Sequence, residues 1–382
     1  MRIYNAAVCT MDGGEQFHGW AEIADGKIKA VGAGEISVQA GDIDAQGGTL
    51  LPGFLDIHTH LGIVEDGIDF EGDDCNETTD PFLPHLRAID AVNPFDDCFA
   101  DARNRGITTV LTSPGSANAC GGSILAMKTA GSLVDDMAVC TAGMKFALGE
   151  NPKAVYDHRD ETPVTRMATA ALIREGLRKA QRYREDIEAA KADSDLSAPE
   201  LDMKSEALLP VLSGEQISFF HCHRADDMAT AMRIAREFSL RLVLIHGTEG
   251  WKIADTLAKQ QIPVIVGPLM CNRCKPEMRD MVIENAAKLR AAGVKTAICT
   301  DHPEVPIQYL GASAIVAENG GLSHADALLA VTADAADIAG IGNRVGRIRA
   351  GLDADLQLYA PNVNPLALDA KPLWVMIDGR MI

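Results

Sequence analysis

Six residues of this chain belong to types that bind metal cations, and each falls at the end of a run that reads as a strand. His58 and His60 close Phe54-Leu55-Asp56-Ile57-His58, His221 and His223 close Ile217-Ser218-Phe219-Phe220-His221, His246 ends Leu242-Val243-Leu244-Ile245-His246, and Asp301 follows Thr296-Ala297-Ile298-Cys299-Thr300. Side chains alternate along a strand with period two, so His58 and His60 share one face, as do His221 and His223. Two imidazoles at i and i+2 can grip one cation. Histidine and carboxylate donors with open coordination positions suit a catalytic Zn²⁺ or a similar ion. A lone buried histidine is ordinarily a structural hydrogen-bonding group. Five histidines and an aspartate at successive strand ends are not explained that way.

Residues so far apart in sequence can meet only if the strands lie side by side with their ends at one mouth. Further strand-like runs at 108–112, 139–148 and 264–266 alternate with helical patterns at 95–105, 226–237, 250–260 and 277–291. Such alternation predicts an α/β fold, a parallel sheet wrapped by helices. Seven strands are visible, and an eighth is expected after residue 61 or between 119 and 130. The expected unit over 51–345 is a TIM-like (β/α)8 barrel, whose active site lies at the C-terminal ends of its strands. Residues 166–207 are helical and highly charged, as in a solvated excursion. The two ends of the chain read differently. Residues 1–50 and 346–382 are short strands with Asp-Gly turns at Asp25-Gly26 and Asp378-Gly379. Neither end has enough strands to stand alone, so they are expected to pair as one small β-domain, a β-sandwich.

The 54 acidic and 35 basic residues leave a formal net charge of −19 over 382 residues. That charge repels nucleic-acid phosphates and anionic lipid, and favours cations, divalent metals included. Nine cysteines, an odd number in a long chain, argue against a disulfide framework and for a reducing cytoplasm. Cys271 and Cys274 form one CxxC with no second pair to complete a zinc knuckle. No apolar run approaches the roughly 20 residues that span a bilayer. Residues 1–5 read as a short mixed strand, not a signal sequence. The cytoplasm is the expected compartment, and a homo-oligomer is compatible with the chain.

Leu51-Pro52-Gly53-Phe54-Leu55-Asp56-Ile57-His58-Thr59-His60 resembles the PGxxDxHxH signature of the amidohydrolase superfamily, and the resemblance extends over nearly the whole chain. The stretches 113–118, 147–153 and 221–227 resemble the imidazolonepropionase-related group. The resemblance implies that His58, His60 and Asp301 bind a divalent metal, with zinc expected, and that His221 and His246 bind the same ion or a second one. It also implies a bridging ligand from the fourth strand. Glu150, placed at the strand end, is the preferred candidate; Lys145, nearer mid-strand, is the alternative and needs carbamylation. His223 is read as a contact to a substrate carbonyl, or as a ligand in place of His221. His302 is expected at the rim. The implied chemistry is hydrolysis of a C–N bond in a cyclic amide, amino-acid amide or dipeptide-like substrate by metal-activated water, with Asp301 moving the proton. The alternatives are a deaminase, for which no further Glu or His is identified, and a non-catalytic metal-binding barrel.

Two segments border this chemistry. Residues 65–80 carry eight acidic residues with no Lys or Arg, and follow the first strand as a flap at the mouth. The glycine-rich run 113–122 lacks the lysine of a phosphate loop. His18, His85, His158 and His324 lie away from strand ends and carry no assigned role.

Overall fold

A computed structural model describes all 382 residues. Eight strands form one sheet in chain order: β1 (Phe54–Thr59), β2 (Ile107–Thr112), β3 (Cys120–Lys128), β4 (Ala138–Ala147), β5 (Ile217–Cys222), β6 (Leu242–His246), β7 (Val264–Val266) and β8 (Thr296–Ile298). The eighth strand is β3, in the second of the two expected places. It runs antiparallel to both neighbours, while the other pairings are parallel. The reason is the connection. A parallel crossover needs a dozen or more residues, and only 113–119 separate β2 from β3, so the chain must double back.

The first and last strands close the ring. The Asp301 N–H donates to the His58 carbonyl at 3.2 Å, and the His60 N–H to the His302 carbonyl at 2.8 Å. Asp56, fully buried, accepts from the Thr300 N–H at 3.0 Å and the Thr300 hydroxyl at 2.5 Å. Strand β5 is buried at all six positions, as expected for a sheet covered on both faces. Phe219, Ile245 and Ile265 enter one apolar cluster. Phe220, Leu244 and Val264 enter another with Met228, Leu257 and Leu289 of the surrounding helices.

Strands from both chain ends share a second sheet. Its order is Arg380–Met381, Trp374–Ile377, Leu356–Tyr359, Thr49–Pro52, Arg2–Val8, Phe17–Ala24, Lys27–Ala33, with Ile43–Asp44 beside Arg2–Val8. The join is the antiparallel pairing of Leu356–Tyr359 with Thr49–Pro52. Both Asp-Gly turns have two successive residues at positive φ, 51° and 74° at Asp25-Gly26, and 48° and 75° at Asp378-Gly379. That backbone matches the twist of a hairpin and favours glycine. Ile3, Val8, Leu50, Leu356, Leu358 and Met376 share the core of this sheet.

The charged stretch between β4 and β5 folds as two helices, Arg166–Ala192 and Met203–Leu212. The longer one buries Ala170, Ile173, Leu177 and Ala180, a stripe at helical spacing. Thr165 and Asp202 cap the two N-termini through their side-chain oxygens. The expected helices at 250–260 and 277–291 are each broken into a single turn (Gly250–Lys252; Pro276–Met278) and a short helix (Ala254–Lys259; Asn285–Ala291). No helix is long and apolar enough to cross a membrane.

Candidate metal centre

Two trios of buried donor groups face each other at the C-terminal ends of the strands. One is His58, His60 and Asp301; the other is His221, His223 and His246; within each trio the donor atoms lie within 4.8 Å of one another. The trios adjoin, with the rings of His58 and His246 centred 5.1 Å apart. His58 and His60 arrive on one face of β1, and His221 and His223 on one face of β5. His246 and Asp301 instead depend on left-handed backbone, φ 70° and 57°. Such strain in a non-glycine residue persists only where the surroundings enforce it, and it concentrates at functional sites.

Hydrogen bonds fix which nitrogen of His60 and of His246 faces the centre. The His60 Nδ1–H donates to the Ser113 carbonyl, and the His246 Nδ1–H to the Gly267 carbonyl, both at 2.7 Å. A carbonyl can only accept, so Nδ1 of both rings bears a proton, and in the neutral ring Nε2 carries the lone pair. The Ser113 hydroxyl donates to the Pro114 carbonyl, and its oxygen lies 3.4 Å from His58 Nδ1. His223 differs. Its Nδ1 meets the Thr248 hydroxyl at 2.7 Å, and a hydroxyl can donate or accept, so either tautomer fits.

The Nε2 atoms of His58, His221 and His223 are buried without a hydrogen-bond partner. His58 Nε2 is 3.0 Å from Asp301 Oδ1, but the pair is not aligned as a hydrogen bond. His60 Nε2 is 3.5 Å from the same oxygen. An unpartnered buried polar atom costs about 1–3 kcal/mol. Unpartnered buried nitrogens that converge beside a carboxylate are relieved by a shared cation, so this donor set fits a divalent metal.

The electrostatics agree. Burial pushes His58 and His223 down to about 4, His58 with help from the Lys145 ammonium. Burial likewise holds His221 and His246 well below the usual imidazole value. These four rings are therefore neutral near pH 7. Burial alone would raise Asp301, yet the surrounding His58 and His246 hold it well below the usual carboxylate range. Burial also opposes charge on His60, but Cys75 and Asp301 beside it push it up to about 10. The position calls for a positive charge, a proton or a metal.

The fourth-strand candidates separate. Glu150 is in neither trio. Strand β4 ends at Ala147, and Gly149, at φ 84°, turns the chain so that Glu150 opens the helix Glu150–Asp157. Lys145 is fully buried on β4, and its Nζ donates to the Pro114 carbonyl at 2.9 Å. Burial pushes it down to about 8. His302 is buried rather than at the rim. Its Nδ1 accepts the Ile307 N–H at 3.2 Å, because the left-handed Asp301 folds the following residue inward.

Two further residues belong to this region. Asp56, inside the signature, ties β1 to the segment bearing Asp301 through Thr300. Glu277 is 3% exposed, with Oε1 3.9 Å from His221 Nε2 and 3.8 Å from His223 Nε2. Nothing in the sequence distinguishes it from the other charged residues of a helical pattern. The acidic flap packs on the glycine-rich run: the Asn118 amide donates to the Glu77 and Asp80 carbonyls at 2.6 and 2.8 Å, and Asn76 accepts the Ala117 N–H at 3.0 Å. Asp66, Asp69, Glu71, Asp73, Asp74 and Glu77 are exposed, while Cys75 is buried. All nine cysteines are free, Cys271 and Cys274 included.

Residues 220–382 match the amidohydrolase family. A solved amidohydrolase from Thermotoga maritima MSB8 is 38% identical and superposes with a TM-score of 0.95, over 100% of this chain and 99% of its own. The curated relative amidohydrolase tasK of Hapsidospora irregularis is 29% identical across 91% of this chain. This chain spans 38% of the length of that relative. An adenosine deaminase from Xanthomonas campestris with bound zinc shares the fold, at 16% identity and a TM-score of 0.56, over 100% of this chain and 92% of that one.

Proposed function

The chain belongs to the amidohydrolase family, and from that premise we propose that it hydrolyses a C–N bond in a small molecule: a cyclic amide, an amino-acid amide or a dipeptide-like compound. The observation that carries this reading is the pair of adjoining trios, six buried donors that converge. His58, His60 and Asp301 would hold one divalent ion, and His221 and His246, with His223 beside them, a second; zinc suits this nitrogen-rich set. When bound, such an ion lowers the pKa of water toward about 7 and polarises a carbonyl oxygen.

The chain's own residues supply the rest. Asp301, ionised near neutral pH because it titrates well below the usual carboxylate range, accepts the proton of the attacking water and returns it to the leaving nitrogen. His223 can present Nε2–H to a substrate carbonyl in one tautomer, because Thr248 tolerates both. Lys145 replaces Glu150 as our candidate on the fourth strand. Its lowered pKa leaves more free amine near neutral pH than an ordinary lysine has, and only a free amine adds CO₂ to become an anionic ligand. No serine or cysteine nucleophile is required.

The test combines metal analysis with a substrate panel of lactams, N-acyl amino acids and dipeptides. Cleavage by the zinc-loaded protein is expected, with ion and activity lost together in His58→Ala. Full metal occupancy in that variant overturns the ligand assignment. Ammonia release from heterocycles, with the panel untouched, replaces this reading by deamination.

A further inference from the structure

We propose that Glu277 donates a carboxylate oxygen to the cation beside His221 and His223; this rests on the reading above that their trio holds a cation, and it takes His223 in the tautomer whose Nε2 lone pair faces the ion. Glu277 lies on none of the strands that carry the other donors. It sits on the single turn Pro276–Met278, in the segment that follows β7.

Three observations converge on it. First, its Oε1 is buried with no hydrogen-bond partner, 3.8–3.9 Å from two Nε2 atoms that are themselves unpartnered. That is about half an ångström beyond the roughly 3.3 Å separating donors around a tetrahedral zinc with bonds of about 2.0–2.1 Å. Second, the carboxylate is held in place from behind: Oε2 accepts the Glu150 N–H at 2.9 Å, which leaves Oε1 aimed at the histidines. Third, the fold has made room for it. A Cβ at position 149 would stand 2.6 Å from Oε2, so only glycine there admits the carboxylate, and Gly149 also adopts φ 84°. No lysine or arginine forms a salt bridge with Glu277, and its neighbour Asp227 is acidic and already paired with Arg166. A buried carboxylate without a cation is costly, and costlier still beside imidazole lone pairs. An ion between Oε1 and the two Nε2 atoms relieves all three.

The inference is tested on the full chain, stripped with a chelator and titrated with Zn²⁺, counting ions by elemental analysis, and with Co²⁺, following the absorption of each equivalent. Wild type, Glu277→Gln and Glu277→Asp are compared, with melting of the metal-free forms showing that each is folded. Wild type is expected to take two ions. Glu277→Gln should keep the ion at His58 and lose affinity for the other by at least about 100-fold, with the absorption of the second Co²⁺ equivalent altered. Glu277→Asp, which keeps the charge, should recover part of the loss and decides the matter if the glutamine variant does not fold. Unchanged affinity for both ions in Glu277→Gln overturns the proposal, including the case where only KM rises and Glu277 therefore serves a cationic substrate. Wild type that binds no ion overturns the hydrolase reading as well, so the two failures are distinguishable.

Discussion

Replacing Lys128 with methionine removes the cation that joins the barrel to the terminal sheet. Lys128 stands on β3, 2% exposed, with Nζ 2.5 Å from Asp355 Oδ2, 3.0 Å from Asp353 Oδ2 and 3.4 Å from Asp378 Oδ1. Methionine fills a similar volume without charge. Asp353 keeps two other cations, Lys27 and Arg344. Asp355 keeps only the Asp378 N–H at 2.9 Å and the Thr109 hydroxyl at 3.4 Å. The loss therefore concentrates on one carboxylate whose side chain is 2% exposed. Removing one partner of a buried pair costs about 3–5 kcal/mol, against at most about 1 kcal/mol for an exposed pair. Because Asp355 directly precedes Leu356–Tyr359, the cost falls on the contact between the two sheets.

The same substitution has a pH signature. Burial already raises Asp355 above its ordinary value even though Lys128 pulls it down, so without Lys128 it rises further. In the variant the native state then holds a proton that an unfolded carboxyl, near 3.9, has released. Stability must fall as pH rises through that window. The deficit of Lys128→Met relative to wild type should be larger at pH 8 than at pH 5. Adding Asp355→Asn, which removes the charge, should recover part of it. Denaturant midpoints of the three chains at pH 5, 6.5 and 8 measure this. A deficit under about 1 kcal/mol, one independent of pH, or one that Asp355→Asn deepens would refute the argument.

Two further outcomes follow from the site. Metal uptake by the stripped protein should depend on bicarbonate and vanish as a bicarbonate effect in Lys145→Met, while Glu150→Gln behaves as wild type; uptake indifferent to bicarbonate but impaired by Glu150→Gln would restore Glu150 as the fourth-strand ligand. Asp56→Asn should cost about 1–3 kcal/mol in denaturant unfolding, because its amide would place a donor against the Thr300 or His58 N–H. A midpoint unchanged from wild type would show that Asp56 does not hold the barrel closed.

What the sequence disclosed about this fold, and what it concealed, follows from how far each constraint reaches along the chain. His58 with His60, and His221 with His223, are legible because strand parity and strand ends are local properties. The place of β3 is legible only as one of two alternatives, after residue 61 or between 119 and 130; its direction lies in the length of the 113–119 connection. Lys145 shows a longer reach. In the parallel register of β4 with β5, Phe219 faces Lys145 and His221 faces Ala147, so Lys145 lies on the face that carries His221. Parity would have chosen it over Glu150, but only once that register was known, and two strands separated by some 70 residues do not announce their register. Glu277 lies further out of reach, since its place depends on a glycine and a backbone N–H more than 120 residues upstream. No periodicity links those three positions. They become one feature only when β4 and the segment after β7 are brought to the same mouth. Donors that strands deliver can thus be read from pattern, whereas a donor that a loop delivers has to be found through the space and the hydrogen bond the fold reserves for it.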